Sequence, residues 1–412
     1  MNSALRIRLT LAAVLCGASQ PVSSAQPNSG AQVAQVGNSF NLTLGDQFSY
    51  DDNLYRLPSG YDIAALGTRF SRQDHINSAF VQAATRLVGW RQELDASIQL
   101  NDNRFAANET LNNTSGQAKV LLDWLASPRL SGTAGVDFDR SLAGFKDTFF
   151  FAKDLVDTSD YLVSARMQLV NHLSLVGSFK EANTTHSAPQ RQNDEIRTHS
   201  GNLGIEYLTS DLNSFGVNYH YTDATFPAPG TFNGEPFDRS YRDSIEQFVI
   251  KYMLTGKTQI DANAGYQHRR YPNSDFGSFS GTTWRASVKW EVTGQTQLSF
   301  TGWHELTAYL DAESDYFVSK GASASVIWSP RPKVQVSLAS SYSDQDYIST
   351  SPSTIIFNSR HDRLKAQTAG LTYGPRSYCN LQVSYRYETR DSSRSTLIYT
   401  DRLAMAQIFL TL

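Results

Sequence analysis

Between Thr283 and Phe300 the chain alternates residue by residue, with Trp284, Ala286, Val288, Trp290 and Val292 set against Arg285, Ser287, Lys289 and Glu291. A period of two places the first set on one face of a strand and the second on the other. The turn Thr293-Gly294-Gln295 interrupts the pattern, which resumes with Leu298 and Phe300 against Gln297, Ser299 and Thr301. The segment therefore reads as an antiparallel hairpin. The same unit recurs. A first strand passes through Phe40, Leu42, Leu44, Phe48 and Tyr50, and a second returns through Val81, Ala83, Thr85 and Leu87 to Trp90. Similar segments follow at 94–100, 118–124, 130–138, 161–169, 173–179, 203–207, 215–221, 248–254, 260–266, 322–328, 334–338, 369–373, 381–387 and 404–412. The pattern predicts about eighteen strands of roughly ten to fifteen residues, long enough to cross a bilayer at a tilt.

Connections alternate between tight turns, such as Ser127-Pro128-Arg129, Asn171-His172, Thr255-Gly256-Lys257, Ser329-Pro330-Arg331-Pro332 and Gly374-Pro375-Arg376, and longer loops. Membrane barrels show this asymmetry, with short periplasmic turns and longer external loops. Large aromatic residues precede the short turns at Trp90, Trp124, Tyr207, Tyr252, Trp290, Trp328 and Tyr373. A second set stands where strands enter the long loops, at Tyr50, Phe138, Tyr221, Tyr266, Tyr342 and Tyr387. Two aromatic levels match the two interfaces of a membrane. A soluble β-propeller is the alternative, because the repeat of about 42 residues falls within blade length. Propeller blades divide that length into four short strands rather than two long ones. The second face also carries Arg, Lys, Glu, Gln and Ser in strand after strand, and burying it would strand unpaired charge. The expected fold is all-β: a transmembrane antiparallel up-and-down β-barrel with a wide aqueous lumen. The loop 142–160, with Phe149-Phe150-Phe151, is expected either to fold inward as a constriction or to stay outside around a buried aromatic cluster.

Composition narrows the setting. Residues 1–25 carry Arg6 and Arg8, then the apolar run Leu9 to Leu15, then Ser23-Ser24-Ala25, the order of a cleaved secretory signal. Cys16 follows Leu15 rather than a small residue, which disfavours lipidation. A polar, Gln-rich leader occupies 26–38, and 39–412 is assigned to the barrel. Removing the signal takes two of the 36 Lys and Arg and none of the 39 Asp and Glu, leaving 34 against 39 and a net charge of −5. That balance gives no reason to expect nucleic acid. Cys379 then stands alone, which excludes a disulfide framework. No apolar run after the signal approaches the roughly 20 residues of a membrane helix. An exported chain of this kind is placed in the outer membrane of a Gram-negative bacterium.

The first strand ends in Tyr50-Asp51-Asp52-Asn53-Leu54-Tyr55-Arg56-Leu57-Pro58. Read physically, a girdle tyrosine is followed by donors and acceptors at the rim, and Pro58 stops pairing. A simple polar strand end is the plainer reading. The stretch resembles the EpsL family of outer-membrane β-barrel proteins, encoded with exopolysaccharide biosynthesis genes and often found alongside exosortase sorting systems. The resemblance implies a part in moving an exopolysaccharide chain across the outer membrane, beside a periplasmic polysaccharide export protein, and implies no catalytic residues. The last strand, with Ala404, Ala406, Ile408, Leu410 and Leu412 alternating, resembles the insertion signal read by the barrel-assembly machinery. That signal usually ends in Phe, whereas here Phe409 is out of phase.

The eight histidines are scattered, with no metal-binding spacing and no neighbouring cysteine, so neither a metal nor a cofactor is assigned. His220 near Asp223 and His304 near Glu305 are the places where a wall-borne hydrolase would be sought. Asp51 and Asp52, together with loop acids, form a candidate cation site. The alternation assigns Arg86, Lys119, Arg166, Lys251, Arg269, Arg285, Lys289, Arg386 and Arg390 to the lumen, balanced by Asp95, Asp123, Asp137, Asp139, Glu206, Asp261, Glu291 and Glu388. Such a wall would exchange hydrogen bonds with a passing glycan, or merely solvate and stiffen the interior. Three functions remain: a conduit for exopolysaccharide, an uptake porin, or a nonconducting scaffold for a secretion complex. Lipid and lipopolysaccharide are the expected surroundings.

Overall fold

The computed structural model describes residues 37–412, apart from 68, 148–149, 212, 233–234, 274–277, 312–313 and 349–359. The signal segment and leader residues 26–36 lie outside the described residues. Alternation of the kind seen at 283–300 is realised in eighteen barrel strands. They are β1 (Ser39–Asp51), β2 (Asp74–Val88), β3 (Gln92–Phe105), β4 (Asn113–Ser127), β5 (Leu130–Leu142), β6 (Leu155–Val170), β7 (Leu173–His186), β8 (Ile196–Leu208) and β9 (Ser214–Thr225). A small external hairpin, β10 (Gly230–Phe232) and β11 (Glu235–Phe237), interrupts the series. The barrel continues with β12 (Tyr241–Thr255), β13 (Thr258–Arg270), β14 (Phe279–Thr293), β15 (Thr296–Asp311) and β16 (Ser314–Arg331). It ends with β17 (Val334–Ile348), β18 (His361–Arg376), β19 (Cys379–Ser392) and β20 (Tyr399–Thr411).

Each barrel strand pairs antiparallel with its neighbours, and β1 pairs with β20 from Thr43↔Thr411 to Asp51↔Leu403. At this seam Leu42 and Leu412 exchange backbone bonds of 3.1 and 2.8 Å. The sheet closes on itself, which removes the exposed edges that would otherwise template aggregation. Phe40, Leu44, Phe48, Val81, Ile98, Val163, Leu203, Val217, Phe300, Leu338, Val383 and Ile408 are all exposed on the outer face. In water so much exposed apolar surface would drive association, whereas hydrocarbon is its natural solvent. Among the described residues no helix is long and apolar enough to cross a membrane.

Both aromatic levels lie on this outer face. Tyr207, Trp290, Trp328 and Tyr373 are exposed towards the short turns, and Phe138, Tyr221, Tyr266 and Tyr342 towards the loops. Packing of the lower level shapes the wall. Trp124 lies over Gly132, where an added Cβ would come within 2.3 Å of the indole and 2.1 Å of the Ser164 carbonyl, so only glycine fits. Asn171-His172 forms the expected two-residue turn, with His172 at φ 70° and its ring nitrogen Nδ1 2.7 Å from the Leu208 carbonyl.

Two expected turns differ. Ser329-Pro330-Arg331-Pro332 and Gly374-Pro375-Arg376 mostly belong to strands, since Arg331 pairs with Val334 and Arg376 with Cys379. The register shifts between Trp328 and Arg331 and between Tyr373 and Arg376, as it also does at the proline-free strand ends before Thr255 and Thr293, so each is a one-residue bulge next to the turn and not a consequence of the missing proline N–H. The chain then reverses one pair later. The loop expected at 142–160 is shorter than read, because β6 begins at Leu155. The main hydrophobic core sits inside the mouth rather than within the wall. It comprises Leu54, Tyr55, Leu57, Phe105, Leu111 and Phe145.

Candidate lumen and its mouth

Strand register puts every charged residue assigned to the lumen on the face opposite the exposed apolar side chains. Neighbouring strands then bring opposite charges together. Arg285 donates from Nε and Nη2 to Glu305 at 2.7 and 2.6 Å, Arg166 reaches Glu206 at 2.5 Å, and Lys119 lies 3.9 Å from Asp137. Arg86 pairs with Glu93 and Arg386 with Glu388. Asp123 accepts from Thr133 at 2.6 Å, Asp261 from Gln259 at 2.7 Å and Asp139 from Ser141 at 3.0 Å. Asp95, Lys251, Lys289 and Glu291 share the inward face by the same parity. Lys180 and Asp160, a further pair at 2.7 Å, escaped the sequence reading although the same parity would have found them.

Three of the assigned residues do not face open lumen. Arg269 is buried, donates to Asp243 at 2.8 and 2.5 Å, and stacks 4.0 Å above the Tyr241 ring. Glu388 and Arg390 are buried on β19 because a loop covers them. Arg390 pairs with Asp362 and donates at 2.8 Å to both the Lys146 carbonyl and the Asp147 carboxylate. Asp362 also accepts from Arg360 at 2.8 and 3.0 Å and from Ser392 at 2.5 Å. Lys146 stands 3.6 Å from Glu388, which accepts a hydrogen bond of 2.5 Å from Tyr399. Periodicity predicts that a side chain points inward. It does not predict what lies on top of it.

The covering loop, residues 143–154, joins β5 to β6, whereas Arg390 belongs to β19. Between β19 and β5 the wall runs through β20, β1, β2, β3 and β4, so the loop spans the mouth to reach its partners. Burial pushes the Asp147 carboxyl up, and Glu388 adds to that, against the opposing pull of Lys146 and Arg360. The loop's other contacts are apolar: Phe145 and Phe151 meet the Tyr55 ring edge-on at 4.8 and 5.6 Å. Of the two arrangements expected for this loop it takes the inward one, with an aromatic cluster made by Phe151 of the run together with Phe145 and Tyr55. Phe149 lies outside the described residues.

Tyr55 belongs to the stretch singled out by sequence, and that stretch is not a rim ornament. Pairing ends at Asp51, well before Pro58, because the chain turns back through Arg56, a residue with φ 56°. Asn53 holds the reversal: its Oδ1 accepts from Leu57 N–H at 3.0 Å, and its Nδ2 donates to the Leu57 and Thr400 carbonyls at 2.8 and 2.9 Å. Arg72 ties the far side through the carbonyls of Leu57, Pro58 and Tyr61. Leu54, Tyr55 and Leu57 are thereby driven into the core with Phe105 and Leu111. The Tyr55 hydroxyl donates to Asn108 at 3.0 Å, and burial, with Asp74 nearby, raises its pKa. Tyr50 faces outward as expected and donates to Gln73 at 2.8 Å.

The candidate cation site is assembled differently from expectation. Asp51, Asp52 and Asp401 each place one oxygen within 4.8 Å of the others, so the third acid comes from β20 rather than a loop. Arg56 already supplies a cation there, 3.0 Å from Asp51 and 2.9 Å from Asp401. Burial disfavours its charge, but these two carboxylates more than offset that and raise its pKa. Asp52 turns to Arg402, accepting from its backbone N–H at 2.7 Å and its guanidinium at 3.2 Å. The two histidine pairs are not assembled either. His220 faces inward and bonds Thr222 at 3.0 Å, while Asp223 is outside with Arg242. His304 and Glu305 are split by the same alternation, with Glu305 on Arg285.

An eighteen-strand closed sheet with an apolar outer belt and inward charges has known counterparts. Residues 249–411 match the model of a family described as Putative beta-barrel porin 2. Among solved structures, OccK2 (OpdF) of Pseudomonas aeruginosa aligns with TM-score 0.50 at 10% identity, over 91% of this chain and 98% of that one. OccAB3 of Acinetobacter baumannii gives 0.48 at 9% identity over 91% and 99%. OpdK of P. aeruginosa, solved with vanillate, gives 0.47 at 11% identity over 91% and 99%. The chain is a porin-like β-barrel of the Gram-negative outer membrane. No curated protein sequence matches it. Identities near one in ten carry the fold of this porin-like barrel and not its solutes.

Proposed function

We propose that this porin-like barrel is a diffusion channel for small hydrophilic solutes, with a charge-lined lumen and a mouth narrowed by two inward-folded loops. The observation that carries the reading is the 143–154 loop, which crosses the mouth and is clamped by Arg390 and Glu388 on the far wall. With the Tyr55 core beside it the clamp narrows the mouth, and in this reading small molecules pass where a polymer is obstructed. Inward charges of both signs offer weak, repeated contacts, and these permit passage rather than retention. The porin description of the family matched by residues 249–411 points the same way. Lipid and lipopolysaccharide surround the belt in this reading, and the barrel-assembly machinery reads the outer-face row Ala404, Ala406, Ile408 and Leu410 of β20.

Export of an exopolysaccharide is the second reading, favoured by the likeness of residues 50–58. Those residues fold the loop that narrows the mouth, so export would require both loops to swing out. Swelling of proteoliposomes in sugars of graded size separates the two. Entry of monosaccharides with exclusion of long oligosaccharides is the expected result. Equal entry of both would favour the polymer conduit, and entry of neither would sink the channel.

A further inference from the structure

The outer face of β1 reads Phe40, Leu42, Leu44, Asp46, Phe48, Tyr50, so one carboxylate interrupts an apolar row. Asp46 is exposed, four residues below the girdle tyrosine Tyr50, with Leu44 beneath it and Phe48 above. Across the ladder it faces Ala79 of β2 and Ile408 of β20. Among the described residues its partner is Asn77, whose Nδ2 donates to Oδ1 at 2.8 Å on the same face. No cation pairs with it there. The exposed Glu246 is different, because its ladder neighbours are Tyr219 and Tyr266, at the girdle level where headgroup water reaches. At the depth of Asp46 a lipid acyl chain offers no donor, and ionisable groups inside a membrane normally face protein or water.

We propose that the β20–β1–β2 face is the contact between two copies of this chain, related by a two-fold axis along the membrane normal. Rotation about that axis keeps depth unchanged, so the Asp46 and Asn77 pair of one copy meets the same pair of the other. The pair is self-complementary. Asp46 has a second oxygen able to accept, Asn77 a second amide hydrogen able to donate, and each satisfies its counterpart across the axis. Among the bulkier Leu44, Phe48 and Ile408, three small side chains lie near the pair: Ala79, and on β20 Ala404 and Ala406, which face Tyr50 and Phe48. Small residues let two membrane surfaces approach closely. Above the pair His75 stacks on Phe48 at 5.6 Å and lies 4.9 Å from Tyr50, giving a rigid aromatic shoulder at the girdle. Further round, Asp102 stands opposite Ala79 on β3 with Arg104 at 2.8 Å, extending the polar edge of the contact.

The test places a cysteine at the contact in a full chain whose Cys379 is replaced by serine. Ala79→Cys is oxidised in isolated outer membranes, beside Ala322→Cys on the outer face of β16 as a control for random collision. The proposal expects a disulfide product of twice the chain mass from the first and not from the second. Adding Asp46→Leu, which completes the apolar row and leaves the heat-modifiable folded band intact, should lower the yield at least about tenfold, because it removes both symmetry-related polar contacts. Equal yields at the two sites, a product of any other mass, or a yield unaffected by Asp46→Leu would each overturn it.

Discussion

Arg285 on β14 and Arg390 on β19 point inward from one continuous sheet, and each pairs with a carboxylate of a neighbouring strand. Their side-chain exposures differ sharply: 42% for Arg285 and 31% for Glu305, against 0% for both Arg390 and Asp362. At Arg285 and Glu305 the charge is open to water inside the barrel, and a pair of this kind contributes about 0–1 kcal/mol. At the mouth the charges are roofed by a loop, and each hydrogen bond to a charged group there contributes more, about 1.5–3 kcal/mol. In the proposed channel, wall charges as open as Arg285 and Glu305 would meet a passing solute. Mouth charges are committed to holding the 143–154 loop in place.

The contrast is broken most severely by Arg390→Ala. It removes the hydrogen bonds to the Lys146 carbonyl and the Asp147 carboxylate, while Asp362 keeps Arg360 and Ser392, and should weaken loop docking by about 3–5 kcal/mol, at about 1.5–3 kcal/mol for each bond to a charged group. Hydrogen exchange in 143–154 should rise and single-channel conductance increase, while the barrel's own exchange protection is unchanged. Leu57→Ala comes next. Its side chain is buried at 2% exposure, and truncation should cost about 2–3 kcal/mol, the lower part of the usual range because the surrounding loops can collapse. Exchange should then accelerate in 52–73 ahead of the strands.

A smaller effect follows from acidity. The Asp147 pKa is raised in the docked loop, so its contribution to docking is fully present below the ordinary carboxylate pKa and is lost as pH rises through the raised value. Acidification from neutrality should accordingly lower conductance, and Asp147→Asn should remove that pH dependence. Smallest of all is Arg285→Ala, expected to change stability by about 0–1 kcal/mol. Its readout is ion selectivity, with the reversal potential under a salt gradient moving towards cation preference.

Legibility in the sequence divides along the same line as the energetics. The eighteen strands, the short turns at Asn171-His172 and Gly294-Gln295, and the inward parity of the wall charges follow from a period of two, which is local. The roof over Arg390 was hidden, because Lys146 and Asp147 lie in a loop with no period and their partners are hundreds of residues away. Residues 50–58 stood out, yet read as a polar rim. Their role depends on Arg56 adopting a left-handed backbone and on Arg72 and Asp401, none of which alternation addresses. Pro330 and Pro375 marked turns that proved to be bulges, since a strand end can take up one extra residue and go on pairing, as the proline-free ends at Thr255 and Thr293 do. Asp46 was visible all along as the gap in the row Phe40, Leu42, Leu44, Phe48, Tyr50. Its meaning required knowing that this row faces lipid.

Which solvent meets which face of a strand underlies all of this, and a cysteine scan of β14 tests it directly. Single cysteines from Arg285 to Lys289 would be probed in proteoliposomes with a membrane-impermeant thiol reagent and, after fluorescent labelling, with a lipid-borne quencher. Water accessibility should peak at 285, 287 and 289 and lipid quenching at 286 and 288. Uniform accessibility along the strand, or quenching at the odd positions, would contradict the account.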